Sequence, residues 1–328
     1  MKKMLLAISI LFVSAVVCIP SHARSEDRQK GEGREGWMGD NKALLKDRPL
    51  NQVTLLGSHD AATNDLDRGS PVCVGYNLDS GDKLGPFPSK HQLASFKCQT
   101  ASIKKQLQYG TRYLDLRVAS QEGEYWSHHG FLSTRYQGKG GIFAQIRGFL
   151  ESQPDEVLIL NMQHFYCDDH RMTAGEAAVF LQVIKGELKG LLIPEGKPTM
   201  KLGEIWAGKG RIILIWSADF EVPDPENIIW DRRVLVDHWW KQKNREVLMD
   251  ELDGLAVQWS EGRDQEKFKE LQAIQSSSKK IKSAVVTNEL LEGRIATVWK
   301  NAPISIIMVN DVVHSGLMPV LIEKNNLK

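Results

Sequence analysis

Four separated segments carry side chains able to move protons and hold an anion. They are His59-Asp60, Asp115-Leu116-Arg117, His128-His129-Gly130 and, far downstream, Asp311. Two histidines held by carboxylates, with one arginine, are sufficient for phosphodiester cleavage without a metal. One imidazole takes a proton, the other gives one, and the guanidinium holds the phosphate oxygens. No piece is specific alone; order, spacing and position at the ends of apolar runs carry the reading.

Those positions come from the elements around them. Residues 53–56 are an apolar run that stops at Gly57-Ser58-His59-Asp60, as a buried strand delivering its last residues to a site would. A long irregular stretch is expected over 61–99. A helix over 100–109, with Ile103 and Leu107 one turn apart, ends at Gly110. Strands are expected over 112–118 and 125–127, a helix over 142–150, and a strand buried on both faces over 157–162. A helix over 173–188 and a strand over 211–216 follow. Short strands are expected over 234–236 and 255–257 with a helix near 245–252 between them, and a last strand over 305–309. Such alternation implies a parallel sheet. Six to eight units in about 300 residues fit one closed or nearly closed α/β barrel as a single domain over 45–328. His59, Arg117, His129, Gln163, Ser217, Asp237 and Asp311 then all fall at the C-terminal strand ends, where barrels gather their chemistry.

The N-terminus reads as a secretory signal over 1–23: Lys2 and Lys3, an apolar run, then Ser21-His22-Ala23. A flexible leader is expected over 24–44. The protein is therefore expected to be secreted or periplasmic, and a monomer. With 42 basic and 41 acidic residues, nothing in the overall charge calls for nucleic acid. An oxidising compartment permits one disulfide, and Cys73 with Cys98, flanking a Gly/Pro/Ser-rich loop, is the expected pair. No CxxC or Cys/His zinc spacing occurs.

Asp115 and Arg117 lie two apart on a strand and share a face, opposite Leu114, Leu116 and Val118. That face is the barrel interior if the leucines meet helices. Arg117 is then either a phosphate ligand or half of a structural pair with Asp115. His128 and His129 are adjacent, so at most one points into the site. No GxSxG elbow supports a serine hydrolase. Trp230 and Trp239-Trp240 lie near expected loops, as packing residues or as aromatic surfaces for a sugar or a membrane interface.

Taken together, the segments 53–60, 102–107 and 110–117, His129-Gly130, and 156–161 through His164-Phe165-Tyr166 resemble the X domain of phosphatidylinositol-specific phospholipase C, closest to the bacterial secreted type. The resemblance is specific over about a third of the chain and implies a distorted or incomplete TIM-type barrel. It implies that His59 is the general base on the inositol 2-hydroxyl, His129 the general acid on the diacylglycerol oxygen, and Arg117 the phosphate ligand. Asp60 would support Arg117 and His129, and Asp311 would orient His59. Gln163, Asp237, Trp239 and Trp230 would contact the headgroup, Gln163 standing where a lysine is common. The implied substrate is phosphatidylinositol or a glycosylated inositol lipid at a membrane surface, and the products are diacylglycerol and inositol 1,2-cyclic phosphate. No cofactor is implied: Arg117 stands where calcium-using relatives place a metal ligand, although Asp60 and Asp115 leave calcium formally open. Two other readings stand beside this one, a metal-dependent glycerophosphodiester hydrolase and a non-catalytic inositol-lipid or glycan-binding module.

Overall fold

The computed structural model describes residues 34–81 and 83–327. The expected signal over 1–23 and the first part of the leader lie outside them. Eleven strands form one sheet: β1 (Leu55–Ser58), β2 (Tyr113–Gln121), β3 (Glu124–His129), β4 (Phe131–Arg135), β5 (Leu158–Cys167), β6 (His170–Arg171), β7 (Ile212–Ser217), β8 (Ile229–Asp231), β9 (Leu235–Asp237), β10 (Phe268–Gln272) and β11 (Ile306–Val309). The parallel path runs β8-β7-β5-β2-β1-β11-β10-β9, and β3, β4 and β6 pair antiparallel at its margin. A three-residue 3-10 turn, Arg232–Val234, joins β8 to β9, the two ends of the path, and no ladder is formed between them among the described residues. The sheet is thus curled as a TIM-type barrel left open at one seam. No described helix is long and apolar enough to cross a membrane.

Alternation along β2 decides which side chains reach the interior. Leu114, Leu116 and Val118 pack outward with Ile103, Ile146 and Phe180 of the surrounding helices. Tyr113, Asp115 and Arg117 take the other face. Local signals set the helix starts: Ser102 caps Ile103–Tyr109, and Thr173 with Glu176 closes a capping box on Ala174–Glu187.

The structure departs from the sequence reading in four places. Residues 34–44 of the expected leader are not loose. The helices Trp37–Asp40 and Lys42–Leu45 dock on the barrel, Trp37 Nε1 donating to Gly110 O at 3.1 Å. The amides of Met38 and Gly39 donate to Glu156 Oε1 at 2.9 and 2.8 Å, and Arg112 grips the other oxygen of that carboxylate. The stretch 61–99 contains the helices Val74–Ser80 and Lys90–Phe96. The strand expected over 255–257 is the second half of the helix Arg245–Ser260, whose apolar residues Leu252, Ala256 and Trp259 follow a helical period. The strand taking its place is β10, Phe-Lys-Glu-Leu-Gln, which has no apolar run because Lys269 and Glu270 are themselves buried. The expected Cys73–Cys98 disulfide is absent. Both are buried free thiols, Cys73 packed with Ala119, Leu132 and Tyr166, and Cys98 turned into the catalytic cluster described below.

Arg112 and Glu156 are a fully buried pair, joined at 2.5–2.6 Å, and their removal one at a time strands a charge. Arg112→Met is expected to cost about 3–5 kcal/mol. Chemical denaturation with unchanged m-value and a lower midpoint is the expected result, with the 34–45 segment becoming protease-sensitive.

Candidate active site

Asp60 is the centre of the site. It sits one residue past Ser58-His59 at the end of β1 with φ 44, a left-handed conformation that Asp adopts more readily than most residues. Asp115, on the interior face of β2, fixes that kink: its Oδ2 accepts from the Asp60 amide at 2.9 Å and its backbone oxygen accepts from Ala61 at 2.8 Å. The Asp60 side chain is completely buried and touches three charge-bearing groups. Its Oδ2 lies 2.9 Å from His129 Nδ1 and 3.3 Å from His59 Nε2, and its Oδ1 is ion-paired with Arg117 Nε. The pair expected within β2, Asp115 with Arg117, is therefore replaced by Arg117 with Asp60. His59, Asp60, Arg117 and His129 are brought together as the sequence suggests.

Each imidazole has its Nδ1 tied down; the other nitrogen is open on His129 and lies 3.3 Å from Asp60 Oδ2 on His59. His129 Nδ1 donates toward Phe96 O, at 2.7 Å, as well as Asp60, which leaves Nε2 open. Phe96 also packs edge-on against its ring at 5.0 Å. Gly130, at φ 71, is needed for this turn, because a Cβ there would come within 2.9 Å of the Phe96 ring. Its neighbour His128 points the other way, its Nε2 on His164 O at 2.9 Å and its ring against Tyr76 and Tyr166. His59 Nδ1 meets Asn310 Oδ1 at 2.8 Å, a contact that a proton on Nδ1 would satisfy, and Nε2 faces the site beside Asp60.

Asn310 corrects the role expected of Asp311. Asp311 is left-handed at φ 51, which turns its side chain off the strand face. Its Oδ1 accepts from Thr100 Oγ1 at 2.5 Å and meets His314 Nδ1 at 3.1 Å. His59 is thus oriented by a neutral carboxamide, not a carboxylate. Gln99, buried nearby, donates to the backbone oxygens of His59 and Val309 and accepts from the Val312 amide, locking the ends of β1 and β11 in register. Neither Asn310 nor Gln99 has a chemical signature in the sequence; only contact geometry reveals them.

Burial lowers the pKa of His59, with Asp60 and Asp115 pulling the other way, and His129 behaves alike. For Asp60 burial acts upward, yet Arg117, His129 and His59 together hold the carboxyl well below its usual range. The resting site at neutral pH is therefore a carboxylate and a guanidinium between two neutral imidazoles.

The substrate residues divide. Trp239, partly exposed, stacks on His59 with ring centroids 5.6 Å apart. Gln163 bonds Asp115, and Asp237 holds Arg232 and accepts from Gln272 Nε2 at 2.8 Å. These side chains line a polar interior floor, with Tyr113 donating to Glu270 at 3.1 Å and accepting from Asn161 at 2.9 Å. Trp230 does not belong to it. It is completely buried on β8, with Nε1 donating to Ile193 O at 3.2 Å, because the expected loop is a strand.

This geometry has known counterparts. No family model matches the sequence. The Variant-surface-glycoprotein phospholipase C of Trypanosoma cruzi is 28% identical over 241 residues, 68% of this chain and 60% of that protein. PI-PLC X domain-containing protein 1 of Mus musculus is 26% identical over 235 residues, covering 69% of this chain and 64% of its own. The chain thus spans less than two thirds of either relative. Phosphatidylinositol-specific phospholipase C of Staphylococcus aureus superposes with a TM-score of 0.65 at 15% identity, over 91% of this chain and 99% of its own. The chain is thus similar in sequence to X-domain and surface-glycoprotein phospholipase C proteins, and it shares the fold of the bacterial enzyme.

Among the described residues, two groups of side chains converge closely enough to meet a metal: His59, Asp60 and Cys98, and Cys167, His170 and Glu176. The first offers one carboxylate whose second oxygen is taken by Arg117, unlike the six to eight oxygens calcium prefers. Cys98 donates to Asp60 Oδ2 at 3.4 Å, and burial followed by the Asp60 charge keeps its thiol protonated. In the second, Glu176 is committed to the capping box of Thr173.

Asn310→Asp places a negative charge on His59 Nδ1. If His59 acts as a base it must be deprotonated to do so, and a raised pKa then shifts the acidic limb of the pH–rate profile to higher pH, by about one unit. An unmoved limb would show that Asn310 does not address the base.

Proposed function

We propose that this X-domain protein is a secreted or periplasmic phosphatidylinositol phosphodiesterase of the lyase type. The observation that carries the reading is Asp60 joining His59, Arg117 and His129 in one buried cluster. The inositol 2-hydroxyl oxygen attacks phosphorus within the same molecule, so proximity replaces a separate nucleophile. His59 Nε2 takes the hydroxyl proton. The phosphorus–oxygen bond to glycerol breaks, and His129 Nε2 returns a proton to that oxygen. The products are diacylglycerol and inositol 1,2-cyclic phosphate.

Arg117 balances charge on the non-bridging oxygens, and this fixed cation makes a metal cofactor unnecessary. Burial leaves His129 neutral at rest; the anionic phosphodiester, once bound, favours its imidazolium and loads the acid with the proton it must give. Gln163 and Asp237 form the polar floor for inositol hydroxyls, and Trp239 offers a ring face at the mouth. The relatives act, by their names, on phosphatidylinositol or on a surface glycoprotein. A plain or glycosylated inositol lipid at a membrane surface is accordingly the substrate class here. The His-Arg-Gly start and clustered acids of a glycerophosphodiester hydrolase have no match in this cluster.

Phosphorus NMR on phosphatidylinositol vesicles is the test. The expected first product is the cyclic phosphate, at the same rate with EDTA present. His59→Ala and His129→Ala should each lower turnover about 10²–10⁴-fold with the fold intact. Release of an acyclic phosphate only, or loss of activity to EDTA, would overturn the mechanism.

A further inference from the structure

A second polar concavity lies at the opposite end of the barrel. Thr54 just before β1, Lys269 near the start of β10 and Ile304 just before β11 line a cleft of about 650 Å³ at the N-terminal strand ends. Catalytic groups occupy the C-terminal ends, so this cleft is separate from them. Arg48, Lys269, Lys300 and Lys324 face it, against Glu266 in the lining and Asp264 acting on Lys269.

Lys269 is the informative member. As a residue it is 4% exposed, and the charge of Asp264 acts on its ammonium. Its backbone is well satisfied, its amide donating to Ser305 Oγ at 3.0 Å. The cleft walls are otherwise arranged in advance. Arg48 Nη1 is anchored on Asn325 O at 2.6 Å, leaving the rest of its planar fork of donors. Lys324 Nζ is spent on the backbone oxygens of Trp299, Lys300 and Ala302, so it supplies charge, not a free donor.

We infer that this cleft is a second binding site, for a small soluble molecule bearing a phosphate or polyphosphate group. A metal cation is repelled by the four basic residues, and the amide-rich wall of Gln52, Gln265 and Asn301 does not suit an apolar ligand. A planar guanidinium and several ammonium groups lining one cleft match a multiply charged phosphate.

The probe is inorganic pyrophosphate, with the full chain, followed by calorimetry and thermal melting. Wild type is expected to bind one equivalent and to melt higher with the ligand. Lys269→Met should bind roughly tenfold more weakly or worse. Lys300→Glu, an exposed change that spares the fold, should weaken binding too. His59→Ala should bind as wild type does. No binding at millimolar pyrophosphate, binding indifferent to both lysine variants, or binding lost in His59→Ala overturns the site. Capture by anionic phosphatidylglycerol vesicles through Lys269, without pyrophosphate binding, would assign the cleft to a lipid headgroup and overturn the soluble ligand.

Discussion

A single buried carboxylate, Asp60, sets the terms for the rest of the catalytic end. A carboxylate with no exposed surface survives there only if cations or donors surround it. Arg117 supplies the charge, and His59 and His129 supply the polar edges. Each of these in turn depends on Asp60. Arg117 inside a barrel needs an anion, and His129 needs an acceptor on Nδ1 to leave Nε2 for chemistry. The cluster is thus one electrostatic unit, and its parts are delivered by the parallel strands β1 and β2 and the antiparallel β3 of one sheet.

The scaffold answers to that unit. Asp115 holds the left-handed turn at Asp60, Gln99 ties the ends of β1 and β11, and Ser58 donates to Gln106, which in turn donates to Ala61 O and Ala101 O. These buried amides satisfy backbone groups where the strands stop pairing, which is where unsatisfied polar groups would otherwise accumulate. The same barrel carries a different polar economy at its other end. There Lys269 sits beside Glu270 on β10, one facing the cleft and the other the interior floor. Alternation along one short strand therefore feeds both ends of the molecule.

Much of this was legible in the sequence, for reasons that differ by residue. The apolar runs ending at His59, Arg117 and Gln163 announce parallel strands with polar tips, and the two-residue spacing of Asp115 and Arg117 places both inside. What the sequence hid were changes of parity and buried charge. Asp311 follows the last strand as expected, but its left-handed backbone hands the contact with His59 to Asn310. β10 was invisible because its Lys-Glu pair reads as surface. Trp230 reads as a loop aromatic, yet β8 is only three residues long and buries it. Residues 34–44 look loose by composition, and they pack because Trp37 and Met38 find Gly110 and Glu156 far along the chain. Long-range contacts of this sort leave no periodicity to read.

The most direct measurement of the Asp60 unit is a double-mutant cycle on kcat/KM between Asp60→Asn and His129→Ala. If Asp60 acts by holding His129 and Arg117 in a single arrangement, each single change removes most of the catalysis. The double variant should then be scarcely worse than either alone, within about a factor of ten. Losses that multiply, so that the double variant falls by the product of the two single effects, would contradict the account and make Asp60 and His129 independent contributors.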